Sequence, residues 1–245
     1  MNGKPVAIFC EDVRFRYRPD APEMRFDCGF SAGEITALVG PSGSGKSTLL
    51  NLIAGFDTPQ TGAILFGEQD MTHVPVSDRP VSMVFQENNL FAHLSVVDNV
   101  ALGLKPSLRL TAAEREEAED ALASVGLAGY GERRPTQLSG GERQRVTLAR
   151  VIVRRKPVLL LDEAFASLGP ALRADMLDLV AAIQEERAMT TIMVTHFPSD
   201  ARRIAPRTVF VAGGTVLAAG PTSEALDPDS RHAAIRDYLG SSDGE

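Results

Sequence analysis

The run Gly40-Pro41-Ser42-Gly43-Ser44-Gly45-Lys46-Ser47-Thr48 constrains this chain more than any other stretch. It follows the apolar segment Ile35-Thr36-Ala37-Leu38-Val39 and precedes Leu49-Leu50-Asn51-Leu52-Ile53-Ala54-Gly55, so the local order is buried strand, glycine-rich turn and a helix closed by glycine. In that context the pattern G-x-x-x-x-G-K-[ST] forms a cradle for a phosphate chain. The glycines let the main chain turn tightly with its N–H groups inward, and the helix N-terminus adds partial positive charge where phosphates sit. Lys46 is then placed for the β- and γ-phosphates of a nucleoside triphosphate and Ser47 for Mg²⁺. An ordinary Gly/Ser turn is the bland alternative, and the flanking strand and helix argue against it.

Val158-Leu159-Leu160-Leu161-Asp162-Glu163 sets two carboxylates at the C-terminal end of a second buried strand, the edge where ligands bind in open α/β sheets. Asp162 is the expected Mg²⁺ partner, and Glu163 is placed to orient or deprotonate a water attacking the γ-phosphate. Taken alone, such a pair is more often a solvated strand end or a helix cap. The phosphate loop tips the reading towards catalysis. Leu138-Ser139-Gly140-Gly141-Glu142 opens an Arg-rich helix and forms a second potential anion site. By itself it reads equally as an N-cap, Ser139, with Glu142 as its capping-box partner.

Elsewhere, residues 6–37 alternate short apolar runs with turn residues and read as antiparallel strands. A strand over 81–85 leads into a polar, helix-prone section over 95–156, including a charged helix at 112–125 and one from about 141 to 156 with Val146, Ala149 and Val153 on one face. Strand 158–161, helix 171–186 and strand 191–194 alternate as in a parallel sheet. Gly213-Gly214 between 208–212 and 215–218 marks a hairpin, and the tail 241–245 is expected to fray.

At 245 residues the chain has room for one domain with a subdomain, and its 44 % hydrophobic and 23 % charged content is that of a folded globule. A net charge of -7 argues against nucleic acid as a partner, because phosphate polymers are held by basic surfaces. Cys10 and Cys28 read as free thiols. No apolar window of transmembrane length and no secretory leader occurs, so any membrane association is expected to run through a partner.

Taken in order, the phosphate loop, Gln86, Leu138-Ser139-Gly140-Gly141, Asp162-Glu163 and His196 resemble the ATP-binding cassette family over nearly the whole chain. The resemblance implies an α/β fold, a P-loop NTPase with a RecA-like parallel-sheet core, an N-terminal antiparallel β subdomain and an inserted α-helical subdomain. It suggests a single domain over 1–240, with the core at 1–87 and 157–220, the helical part at about 88–156, and a C-terminal helix and tail at 221–245. ATP and Mg²⁺ are the implied ligands, bound by residues 40–48, with Ser47, Gln86 and Asp162 at the metal and Glu163, His196 and Gln86 in catalysis. Ser139 to Glu142 of one subunit would contact the γ-phosphate held by the other in a head-to-tail homodimer. By the same resemblance Tyr17 would stack on adenine, with Phe15 as competitor and core packing as the bland alternative. Outside this context Gln86 reads as a surface residue and His196 as a loop histidine.

Arg79-Pro80-Val81-Ser82-Met83-Val84-Phe85-Gln86-Glu87-Asn88-Asn89-Leu90-Phe91-Ala92-His93-Leu94-Ser95-Val96 resembles the same stretch in ATPases of bacterial thiamine importers. That implies an integral-membrane permease, a periplasmic substrate-binding protein reached through the complex, and a place on the cytoplasmic side of the bacterial inner membrane. Import of another small solute, a soluble cassette acting on nucleic acid or ribosomes, and a small-molecule kinase are the alternatives. Two departures stand out. Gly169 takes the place of the family's usual aspartate, which bears on communication between sites, and Glu142 replaces the commoner Gln.

Overall fold

The computed structural model describes residues 4–87 and 89–242. The expectation for the last residues of the tail, 243–245, lies outside them, as do Asn88 and residues 1–3 of the expected leaderless N-terminus; Ser241 and Ser242 form the end of the last helix.

The chain begins with antiparallel strands β1 (Ile8–Phe15) and β2 (Met24–Phe30), then β3 (Ile35–Val39) runs into helix α1 (Lys46–Ala54). Strands β4 (Thr61–Phe66) and β5 (Gln69–Asp70) return antiparallel beside β1, and β6 (Val81–Phe85) enters the parallel part of the sheet. Helices α2 (Val96–Ala101), α3 (Ala112–Ser124) and α4 (Gly140–Arg154) pack on one another before β7 (Val158–Asp162), α5 (Pro170–Arg187), β8 (Thr190–Val194) and α6 (Pro198–Ile204). The hairpin β9 (Arg207–Ala212) and β10 (Thr215–Pro221), then α7 (Thr222–Ala225) and α8 (Ala233–Ser242), complete the order. Among the described residues, all ten strands join one sheet ordered β5-β4-β1-β2-β10-β9-β3-β8-β7-β6.

The parallel strands β3, β7 and β8 are buried almost throughout, on both faces, which is why apolar residues dominate them with little alternation; β6 and β9 are buried over most of their length. Their period of two divides the core. Leu38, Leu160, Ile192, Val194 and Val209 face one cluster with Leu49, Leu50, Leu52 and Ile53 of α1. Ala37, Val39, Leu159, Leu161, Met193 and Phe210 face the other, built with α2 to α5 and α8. Val146, Ala149 and Val153 lie buried in this second cluster, as the helical spacing predicts.

Local chemistry sets the ends of α1. Its C-cap, Gly55, adopts φ 87° and donates to Asn51 and Leu52 carbonyls. A Cβ there would lie 2.5 Å from Arg79 Nε. The Arg79 side chain is nearly sealed from solvent and donates to the carbonyls of Leu52 at 2.7 Å, Ile53 at 2.8 Å and Val74 at 2.8 Å, placing a cation on the negative end of the helix. Burial lowers its pKa. In the helical region, the buried Asn99 amide exchanges hydrogen bonds with the Phe91 main chain at 2.9 and 3.0 Å. Arg150 of α4 donates to the Asn99 carbonyl at 2.9 Å and to its side-chain oxygen at 3.0 Å. Burial, aided by Arg154, lowers the Arg150 pKa to about 10. Cys10 and Cys28 are free thiols at directly paired positions of β1 and β2.

Candidate functional site

The C-terminal edges of the parallel strands gather the candidate residues: 40–48 follow β3, Gln86 follows β6, Asp162 ends β7 with Glu163 next to it, and His196 lies just beyond β8. Gly40 takes φ 144°, and a Cβ there would sit 1.9 Å from the Val211 carbonyl oxygen, so only glycine allows the loop to leave β3 against β9. Lys46, the first residue of α1, turns its ammonium back on the loop and donates to the carbonyls of Gly40 at 2.9 Å and Pro41 at 2.8 Å. Burial lowers its pKa, opposed by the carboxylates of Glu163 and Asp162. Ser47 donates its hydroxyl to Asp162 Oδ1 at 3.0 Å. The buried Ser44 hydroxyl has no hydrogen-bond partner among the described residues. A polar atom sealed in that way costs free energy until something bonds it.

A cleft of about 400 Å³ is lined by Tyr17, Met24, the loop from Ser42 to Thr48, Glu163 and His196. A second, of about 390 Å³, shares Ser47 and Glu163 with it and is lined also by Gln86, Phe85, Glu87, Asn89 and Asp162. Tyr17 stands in the cleft wall, its hydroxyl 3.0 Å from Thr48 Oγ1, while Phe15 is buried in the core with its ring edge-on to Tyr17 at 4.8 Å. The competing aromatic is therefore a packing residue.

Glu163 has a left-handed backbone, φ 49°, and its N–H bonds the Val194 carbonyl at 3.2 Å; Asn89 in the wall of the second cleft is left-handed too, at φ 45°. His196 Nε2 lies 2.6 Å from Glu163 Oε1. Burial raises the Asp162 pKa; the Ser47 hydroxyl works against this and the Glu163 charge adds to it. Glu163 thus shares one cleft with Lys46 and the adjoining one with Asp162, and among the described residues no ion pair joins the lysine to either carboxylate.

Ser139 to Glu142 stand apart. Ser139 is the N-cap of α4, its hydroxyl accepting from Glu142 N–H at 3.3 Å while Glu142 Oε2 accepts from Ser139 N–H at 2.7 Å, a complete capping box. The main-chain bond from Ser139, above all, lowers the Glu142 pKa. Gly140 and Gly141 form the first turn, and none of the four lines the cleft at Lys46. Gly169 is the N-cap of α5 with no side-chain bond and open space beside its Cα.

Several supporting residues gave no sequence signal, because they act from distant positions. Gln144 of α4 donates to the Ala164 carbonyl at 2.7 Å, tying the Ser139 helix to the turn that carries Glu163. Thr195 donates to Asp200 at 2.9 Å, Arg173 lies 3.4 Å from Asp200, and the Arg173 guanidinium stacks 3.6 Å from the Phe197 ring centre, bracketing His196. Met24 was missed as a cleft residue since it lies in the β2 strand pattern.

A parallel sheet that brings a lysine-bearing phosphate loop and a carboxylate pair to one edge is the architecture of a P-loop nucleoside triphosphatase. The family described as ABC transporter matches residues 24–166. The chain is 59 % identical over 244 residues, 100 % of this chain and 95 % of the relative, to "Thiamine import ATP-binding protein ThiQ" of Mesorhizobium japonicum. It is 50 % identical to the protein of that name from Rhizobium meliloti, over 98 % of this chain and 99 % of the relative. Among solved structures, an ATP-binding cassette described as a dimeric post-hydrolysis state bound to ADP and Pi aligns with a TM-score of 0.75 at 27 % identity, covering 88 % of this chain and 98 % of that one. The chain belongs to the ABC transporter ATPase family, and ATP binding and hydrolysis coupled to transport are its activity.

Proposed function

We propose that this ATPase powers uptake of thiamine, or one of its phosphates, through a partner permease. The gathering of Lys46, Ser47, Asp162, Glu163 and His196 around two clefts that share Ser47 and Glu163 carries the hydrolytic half of the reading. Residues 40–48 wrap the triphosphate of ATP, with Lys46 exchanging its bonds to the Gly40 and Pro41 carbonyls for β- and γ-phosphate oxygens and the Ser44 hydroxyl gaining the partner it lacks. Tyr17 stacks on the base. Ser47 and Asp162 would offer Mg²⁺ the hard oxygen donors it prefers, with Gln86 lining the same adjoining cleft. The ion when bound neutralises phosphate charge. Glu163 accepts the proton of the attacking water, and His196 orients Glu163 and reads the γ-phosphate.

One chain supplies only one wall of the site. The first turn of α4, with Ser139 to Glu142 already ordered by its capping box and absent from its own cleft, faces the γ-phosphate of a second copy in a head-to-tail dimer. Closing on ATP and reopening after hydrolysis provides two states whose different affinities for nucleotide drive the permease. As an importer ATPase the subunit sits on the cytoplasmic face, held by the permease, with a periplasmic binding protein delivering solute to the complex; among the described residues no helix is long and apolar enough to cross a membrane. The substrate rests on the thiamine import named for the relatives at 59 % and 50 % identity. The test is uptake of labelled thiamine by vesicles holding the complete complex. ATP-dependent accumulation, lost in Lys46→Ala, is expected; ATP hydrolysis without thiamine uptake overturns the substrate.

A further inference from the structure

Helix α8 lies outside the matched stretch 24–166, yet one of its side chains reaches the back of the site. The Tyr238 hydroxyl donates to the His196 carbonyl oxygen at 2.8 Å. The main chain of Gly40, where the phosphate loop leaves β3, bonds to the same phenol. Its ring is 9 % exposed and packs edge-on against Phe210 of β9 at 5.4 Å, and Phe210 pairs with Val39 of β3. A single buried hydroxyl therefore spans the start of the phosphate loop and the segment bearing His196.

We propose that Tyr238 is a positioning residue for hydrolysis, fixing the His196 segment relative to the phosphate loop so that the His196–Glu163 pair meets the γ-phosphate in register. The other side of that segment is already pinned by Thr195 to Asp200 and by Arg173 against Phe197, so the Tyr238 bond completes a bracket around His196. A displacement of about 1 Å at reacting groups costs on the order of 10²-fold in rate, so a partly relaxed segment should show clearly in turnover. The inference rests on the hydrolytic roles proposed above for Glu163 and His196.

Tyr238→Phe keeps the ring and its packing and removes only the hydroxyl. In steady-state hydrolysis of Mg-ATP by the full chain, kcat should fall roughly 5- to 20-fold, with KM for ATP and affinity for ADP within about twofold of the original. On a His196→Ala background, single-turnover phosphate release should show no further loss from Tyr238→Phe, because two groups acting through one contact are not additive. An unchanged kcat, an equal proportional loss on the His196→Ala background, or a parallel loss of nucleotide affinity and thermal midpoint each overturns the proposal. If His196→Ala alone hydrolyses ATP at the full rate, the underlying assignment fails instead, and the two failures are thereby told apart.

Discussion

Glu163→Gln removes one charge from the cleft at nearly constant shape, and the structure fixes what else changes. The side-chain amide oxygen can accept the bond that Glu163 Oε1 makes with His196 Nε2 at 2.6 Å. The main-chain bond to Val194 at 3.2 Å is indifferent to the side chain, and the left-handed φ of 49° strains Gln no more than Glu. The Glu163 charge raises the pKa of Asp162, so its loss relaxes like-charge repulsion across the site. Folding and ATP binding should therefore survive, while the proton-accepting contribution disappears. General-base catalysis is worth about 10²- to 10⁴-fold, or roughly 2.7–5.4 kcal/mol at 1.36 kcal/mol per tenfold. Single-turnover phosphate release measures the step directly, and size exclusion with Mg-ATP should show nucleotide-bound dimers accumulating. A folded variant that releases phosphate within tenfold of the original rate would refute the assignment of Glu163 as base.

Arg79→Met strips the donor from the Leu52, Ile53 and Val74 carbonyls in a buried place and should cost about 3–5 kcal/mol in urea unfolding; a loss below about 1 kcal/mol would mean that water or relaxation replaces it. Gly169→Asp enters open space at the N-cap of α5 and should raise stability by a few tenths of a kcal/mol while altering the ATP dependence of hydrolysis; an unchanged dependence shows the glycine to be harmless for coupling between sites. Burial pushes the Tyr238 pKa up to about 12 from 10.0. Between those values the folded chain keeps a proton that the unfolded chain releases, so this contribution is complete below pH 10 and falls by up to about 3 kcal/mol as pH approaches 12. Urea titrations from pH 9 to 11.5 should show the slope, and Tyr238→Phe should flatten it.

Local pattern was enough wherever neighbours in sequence supply the physics. The strand–loop–helix around Lys46, the strand 81–85 and the glycine hairpin at 213–214 formed where predicted, because apolar runs, left-handed glycines and caps act within a few residues. The strands β4 and β5 and the helix α6 escaped: β4 is built on the distant β1, β5 is a two-residue extension of β4, and the seven-residue α6 is held by packing on α5 and β3. At Ser139 two readings were open in the sequence, a cap or an anion site, and the capping box is formed in full while leaving the turn unused by its own cleft.

From the sequence alone came the inventory: a phosphate loop, a strand-end carboxylate pair, a glutamine and a histidine, in an order far more specific than any one of them. Only the tertiary structure decided how they stand to one another. It set Ser47 on Asp162, His196 on Glu163 and Tyr17 rather than Phe15 in the cleft, and it brought Tyr238 and Gln144 to the site from helices whose own sequence carries no such signal. The physical reason is that motif residues are constrained by the chemistry of the phosphate at their own position, whereas positioning residues are defined by a carbonyl or ring that long-range β pairing and helix packing deliver to them.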